Sequence, residues 1–309
     1  MPEPTDYAYQ NDLFGNAEPT SSTSAEVAER ALIEQLIAET DLYRTSESFT
    51  ELLKIVTKLR GFAPFNAMLL HIQKLGLTHA ATARNWATRF GRKPKENARP
   101  LVVLRSMGPV DFVFDVLDTE GKDLPRDAFT FPTLGELSEA QFAQCLFAVK
   151  KERIQLVRVD AGDANAGSIK LIGVSTSPSG KHFYRIKYNS NHPPSTRFVT
   201  LAHELAHLFL GHLGPDRGRD VPDRRDRDHS LREVEAETAA YLVARRNGIK
   251  PSSETYLQKY KGSFRALDVF AVMRAANEIE KVLGISAHKL WEEKGAQAQV
   301  TYSLEETFL

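Results

Sequence analysis

The sequence predicts an α+β protein in two parts. The first is an N-terminal helical domain with a small β-hairpin or sheet; in the second, a small sheet packs on a helix carrying a His-Glu-x-x-His motif. Three observations predict this. Apolar residues recur at helical spacing in both halves. Short alternating segments bounded by Gly and Pro fall between them, and Gly, Asp, Pro and Thr dominate from Asp118 to Leu134, which marks a boundary. A chain of 309 residues with 42% apolar side chains is long enough for two packed parts.

Residues 1–24 are polar, acidic and rich in Pro, Ser and Thr, so they predict a disordered acidic tail. Glu26 to Arg44 reads as an amphipathic helix bearing Leu32, Leu36 and Ile37, and further helices are expected at 48–60, 64–75 and 82–90. A hairpin over 100–118 turns at Gly108-Pro109. These elements make up a first domain, 25–133, and the second occupies 134–309. It opens with a helix over 138–151 and strands over 154–159 and 168–175. A turn at Pro178-Ser179-Gly180 leads into a strand from His182 to Tyr188, expected to offer an edge to which an extended peptide adds. Helices over 265–284 and 286–294 complete the core, with His288 and Trp291 as packing residues. Cys145 is the only cysteine, so no disulfide forms within the chain. The N-terminus lacks a basic start followed by an apolar run, and no stretch approaches membrane-spanning length; a cytoplasmic protein without membrane association is expected.

His203-Glu204-Leu205-Ala206-His207 carries the chemistry. Positions i and i+4 of a helix share one face, so both imidazoles can address one metal ion, while Glu204 sits beside that face, placed to take a proton from water. Pro193 and Pro194 precede the segment, Phe198, Leu201, Leu205 and Leu208 follow at helical spacing, and Gly211 closes it. Zinc is the expected ion. Such a site needs a third protein ligand and leaves a fourth position open. An extended pattern with a Gly three residues after His207 and a His three later is absent, because Leu210 and Leu213 stand there and His212 is out of register. The second helical segment, Leu231 to Leu242, supplies Glu233 as third ligand and Glu237, on the same face, as a carboxylate orienting a histidine; Glu235 points elsewhere. A rival reading makes Ser230-x-x-Glu233 a capping box and Glu237 the ligand. Tyr184, His212, His229 and Tyr241 are candidates to steady the oxyanion. Between the two helices, Asp216 to Asp228 holds five Arg and five Asp and is expected to be a solvated mobile loop, a gate over the cleft being the sharper alternative.

The pairing of His203–His207 with the Glu233-to-Ala240 segment resembles the ImmA/IrrE group of gluzincin-like zinc metallopeptidases. The resemblance implies metal ligation by His203, His207 and Glu233 and catalysis by Glu204; Glu237 stands where that group has Asn. Upstream, Phe62 to Gln73, Ala83-Arg84-Asn85-Trp86, Gly91-Arg92-Lys93-Pro94, Pro100 to Leu104 and Val110 to Val116 resemble the N-terminal domain of ArdC-type antirestriction proteins, which implies single-stranded DNA binding ahead of a metallopeptidase-like domain. Charge agrees. From Ser48 to Arg105 there are eleven Lys or Arg against two Glu in a chain whose net charge is zero, and a concentrated basic stretch binds phosphates in a salt-dependent way. Arg84, Arg89, Arg92, Lys93 and Lys95 are the expected DNA contacts, with Trp86 as a stacking platform. In the tail, Gln10, Leu13 and Phe14 resemble the bacterial sliding-clamp-binding motif. The expected function is a zinc metalloendopeptidase joined to a single-stranded DNA-binding domain, of antirestriction or stress-regulatory type, acting on a protein such as a transcriptional repressor. The rival is a non-proteolytic protein that shields incoming single-stranded DNA and uses its zinc structurally.

Overall fold

The helix α1 (Ser46–Lys58) packs on α2 (Pro64–Gln73) through Phe49, Leu52, Val56, Met68 and Leu70, all buried. Pro64 opens α2, where its missing N–H would have had no partner anyway. The computed structural model describes residues 46–105, 110–125, 128–129, 134–162, 166–177, 180–251 and 266–286. The expected acidic tail with Gln10, Leu13 and Phe14, the helix over 26–44, the turn at Gly108-Pro109, and the last expected helix from 287 onward all lie outside the described residues.

After α2 come β1 (Ala80–Thr82), α3 (Ala83–Phe90), β2 (Arg92–Pro94), β3 (Leu101–Leu104), β4 (Val110–Asp115) and β5 (Thr119–Gly121). They form an antiparallel sheet in the order β1-β4-β3 and a separate two-stranded ribbon, β2-β5. The free edge of β3 is closed by side chains. Asn66 of α2 exchanges two hydrogen bonds of 2.9 Å with the main chain of Leu104, and Gln73 does the same with Val102 at 2.8 Å. Two amides two helical turns apart thus stand in for a neighbouring strand and block further pairing.

The second half begins with α4 (Glu139–Lys150), whose Ser138 and Gln141 make a reciprocal capping box. It continues with β6 (Ile154–Val159), β7 (Gly167–Gly173), β8 (Phe183–Asn189), α5 (Pro194–Phe209), α6 (His229–Arg246) and α7 (Val269–Leu283). The sheet order is β6-β8-β7, with β8 parallel to β6 and antiparallel to β7. The strand expected to offer an edge, His182 to Tyr188, is therefore the central one, and β7 lies at the edge. Tyr184, Ile186 and Tyr188 of β8 alternate onto the buried face, where α5 packs. The charged segment after α5 is also not wholly solvated. Asp216, Val221 and Arg224 are buried, and Gly211 (φ 79°) brings the end of α5 so close to Pro222 that any side chain there would strike its carbonyl.

The expected boundary falls between β5 and α4, yet the helices on its two sides share one apolar core. α1 packs on α6 and α2 on α7, with the Phe65 and Phe270 rings edge to face at 4.8 Å. At the junction Arg246 is 1% exposed; it pairs with Glu280 at 2.7 Å and donates to the carbonyls of Val56 at 2.5 Å and Phe62 at 2.8 Å. Removing one member of a buried pair strands the other, so Arg246→Ala should cost about 3–5 kcal/mol in urea unfolding. A loss under about 1 kcal/mol would mean that Glu280 is satisfied by nearby Arg60.

Candidate metal centre

The central pair of helices, α5 and α6, is built to face inward. Phe198, Leu201, Leu205 and Leu208 are fully buried, and so are Val234, Ala236, Ala239 and Ala240 of α6, whose small side chains let the two helices approach. On the remaining face His203 and His207 stand one turn apart with their Nε2 atoms 3.1 Å from each other. Glu233 reaches across from α6, with one carboxylate oxygen 3.5 Å from His203 Nε2 and the other 3.4 Å from His207 Nε2. Ligand atoms of these three residues lie within 4.8 Å of one another, the metal-type cluster among the described residues. The tetrahedron around zinc with bonds of 2.0–2.1 Å has edges of roughly 3.3 Å, so the triangle matches a bound ion.

The chemistry of the donors agrees with the distances. His203 Nδ1 lies 3.1 Å from the Glu237 carboxylate, which only accepts, so Nδ1 carries a proton and Nε2 is the nitrogen turned toward the cluster. Burial opposes charge on His203, but hydrogen bonds to Glu233 and Glu237 overcome it and hold its pKa up at about 10. The hydrogen bond to His203 in turn draws Glu233 down to about 2. The field of the cluster therefore favours positive charge, which a divalent cation supplies.

The rival capping reading fails on local geometry. The cap of α6 is Asp228, whose carboxylate accepts from the Ser230 N–H at 2.9 Å; Ser230 lies inside the helix and Glu233 is released from any terminus. Glu237 Oε2 lies beside His203 Nδ1, at 3.1 Å.

Glu204 is 8% exposed and accepts the Ile169 N–H of β7. Burial, reinforced by the Glu233 charge and opposed by His203, pushes its carboxyl up to about 7. Gly167 makes this approach feasible. A Cβ there would sit 2.5 Å from Thr200 Cγ2, 2.9 Å from the Lys187 carbonyl and 3.3 Å from Glu204 Oε1. The motif shows none of this; only a glycine at the start of a short strand hints at it.

Other expected residues fall elsewhere. Of the four oxyanion candidates, Tyr184 is buried, hydrogen-bonded to Asp216, and His212 lies buried behind His207, so neither faces the cleft. Tyr241 packs against the core. His229 is exposed, with Nδ1 3.8 Å from Glu233. In the N-terminal half Trp86 is 0% exposed and donates to the Phe114 carbonyl at 2.8 Å, so it offers no face to a base. Arg92 spends its guanidinium on Thr119 and the Lys122 carbonyl; Lys95 donates to the Leu117 carbonyl; Lys93 pairs with Glu120 at 3.3 Å on the surface. Arg84, Lys93, Lys95 and Arg99 are exposed, and Arg89 is half-buried.

Residues 160–261, which contain both metal-facing helices, match the family model for the IrrE N-terminal-like domain, Peptidase_M78. Among solved structures the chain is similar to the Mn(II)-bound antirestriction ArdC protein from plasmid R388, with 16% identity, 85% of this chain and 97% of that chain covered, and a TM-score of 0.41. The metal-free structure of that protein matches with 15% identity, covering 80% of this chain and 96% of that one, at a TM-score of 0.36. Comparison with curated proteins returned no match.

Purified protein should bind about one divalent ion per chain, measured by titration calorimetry. His203→Ala, His207→Ala and Glu233→Ala should each remove most of the affinity, Glu237→Ala about 10–100-fold, and Glu204→Gln little. If Glu233→Ala binds like wild type and Glu237→Ala does not, the ligand assignment is reversed.

Proposed function

We propose that this chain is a zinc-dependent metallopeptidase whose N-terminal residues bind single-stranded DNA, acting in the cytoplasm on a protein substrate. One observation carries the reading: the Glu204 carboxylate accepts the Ile169 N–H of edge strand β7 and feels the charges of His203 and Glu233, two members of the three-residue cluster, within a segment that matches a peptidase family model.

His203, His207 and Glu233 would hold the zinc ion, which would supply Lewis acidity toward a carbonyl and toward water. Glu204, beside the metal-facing histidines, takes the water's proton as the oxygen attacks and passes it to the leaving amine nitrogen. The Ile169 N–H orients that carboxylate. His229, exposed and 3.8 Å from Glu233, is positioned to steady the oxyanion. Because Ile169 turns its N–H away from β8 toward Glu204, its carbonyl and the main chain of Leu171 also face the outer edge. An extended peptide pairing there would pass Glu204, with exposed Leu171, Ile172 and Val174 beside it.

Glu204→Gln keeps size and fold, so zinc and DNA binding should persist while peptide-bond cleavage falls by about a hundredfold or more. The measurement is a proteomic search for fragments produced only by wild type, beside an assay of plasmid entry past a restriction barrier. Equal protection and no wild-type fragment would leave DNA shielding as the function.

For DNA, the exposed cations Arg84, Lys93 and Lys95 carry the reading, and the buried Trp86 does not. Replacing all three by Glu should weaken binding of an oligothymidylate at low salt by about tenfold or more and flatten its salt dependence. Unchanged affinity by fluorescence anisotropy would reduce the basic stretch to a solvated face.

A further inference from the structure

A buried carboxylate on the far side of α6 has no part in the cluster so far described. Glu235 is 0% exposed and sits among Val234 and Ala236. One of its oxygens accepts from Arg224 Nη2 at 2.7 Å and from the Asp268 N–H at 3.3 Å; the other lies 3.0 Å from His212 Nε2. His212 Nδ1 then lies 2.9 Å from His207 Nδ1. From these contacts we infer that His212 is a positioning residue for the metal ligand His207, anchored by Glu235 and Arg224.

The proton positions follow one from another. A carboxylate paired with an arginine only accepts, so His212 Nε2 carries hydrogen and donates to it. In a neutral imidazole the other nitrogen is then bare, and His212 Nδ1 accepts. The group opposite is His207 Nδ1, which must donate. That leaves His207 Nε2 without hydrogen, 3.1 Å from His203 Nε2 and 3.4 Å from Glu233. Four side chains thus run from the segment between the two helices to the metal cluster and decide which nitrogen of His207 is free to bind.

The two ligand histidines are held differently. His203 donates directly to a carboxylate, Glu237, whereas His207 donates to a neutral ring that relays a carboxylate further back. The turn at Gly211 sets this up, because it carries the chain back from α5 and places His212 five residues after His207. The same contact explains the burial of Arg224. Its guanidinium keeps Glu235 ionised in the interior and so keeps His212 oriented.

This inference rests on the metal reading of the cluster, and the test separates the two. The full-length protein would be titrated with Zn2+ against a chromogenic chelator, as wild type, His212→Leu and His212→Gln. Leucine fills the space but accepts nothing; glutamine presents a carbonyl oxygen to His207 and an N–H to Glu235. His212→Leu should lower Zn2+ affinity about 10–100-fold, and His212→Gln should restore most of it. A ring that merely fills space would leave Zn2+ affinity unchanged in both variants, and a folded His212→Leu protein within threefold of wild type would overturn the inference. Should His212→Leu fail to fold, the wild-type protein decides: two-bond 1H–15N correlation spectra of its histidines should show hydrogen on His207 Nδ1, and hydrogen on Nε2 instead would overturn the inference. Wild type that takes up no Zn2+ would overturn the metal reading together with it.

Discussion

Two imidazole nitrogens and a carboxylate that converge to about 3.1–3.5 Å from one another set the terms for the rest of the structure. Such a cluster needs a proton or a metal cation shared among its members, and nothing local to either helix would hold the three groups together. The protein holds them from behind. Glu237 fixes His203 and His212 fixes His207, while the apolar contact between α5 and α6 keeps the two helices in register. The orientation of both rings follows from that clamp.

The clamp needs a stiff frame, and two buried arginines contribute to it. Arg246 ties the end of α6 to Glu280 of α7 and to the main chain around α1; Arg224 ties the segment between the metal helices to Glu235 in the middle of α6. Each arginine satisfies several acceptors that would otherwise be stranded in the interior. Because α1 and α2 pack on α6 and α7 in one continuous core, the basic N-terminal elements and the metal-facing helices rest on the same buried side chains.

Much of this is legible in the chain. The helix over 194–209, the second helix with Glu233 and Glu237 on one face, and the strands over 154–159, 167–173 and 183–189 follow from periodicity and punctuation, whereas β1 and the β2-β5 ribbon do not. Where the reading fails, a distant neighbour is responsible. Ser230 looks like a cap until Asp228 takes the position; five Arg and five Asp look like a solvated loop until Asp216 and Arg224 find buried partners; Trp86 looks like a platform until the Phe114 carbonyl claims its indole N–H. The strand at 183–189 looks like an edge only because its pairing with both β6 and β7 cannot be read from its own residues.

The sequence by itself determined everything that depends on one helix or one stretch: two histidines on a common face, a glutamate beside them, a second helix with carboxylates four apart, and a basic segment in a neutral chain. These are fixed by spacing along a single helix of 3.6 residues per turn, or by composition alone. Only the tertiary structure decided which carboxylate closes the cluster, which strand is left with a free edge beside Glu204, and that His212 stands behind His207 with Glu235 and Arg224 in turn behind it. Those are distances between elements, set by side-chain volume at helix and sheet contacts and by the need of each buried charge for a partner, and no interval along the chain encodes them.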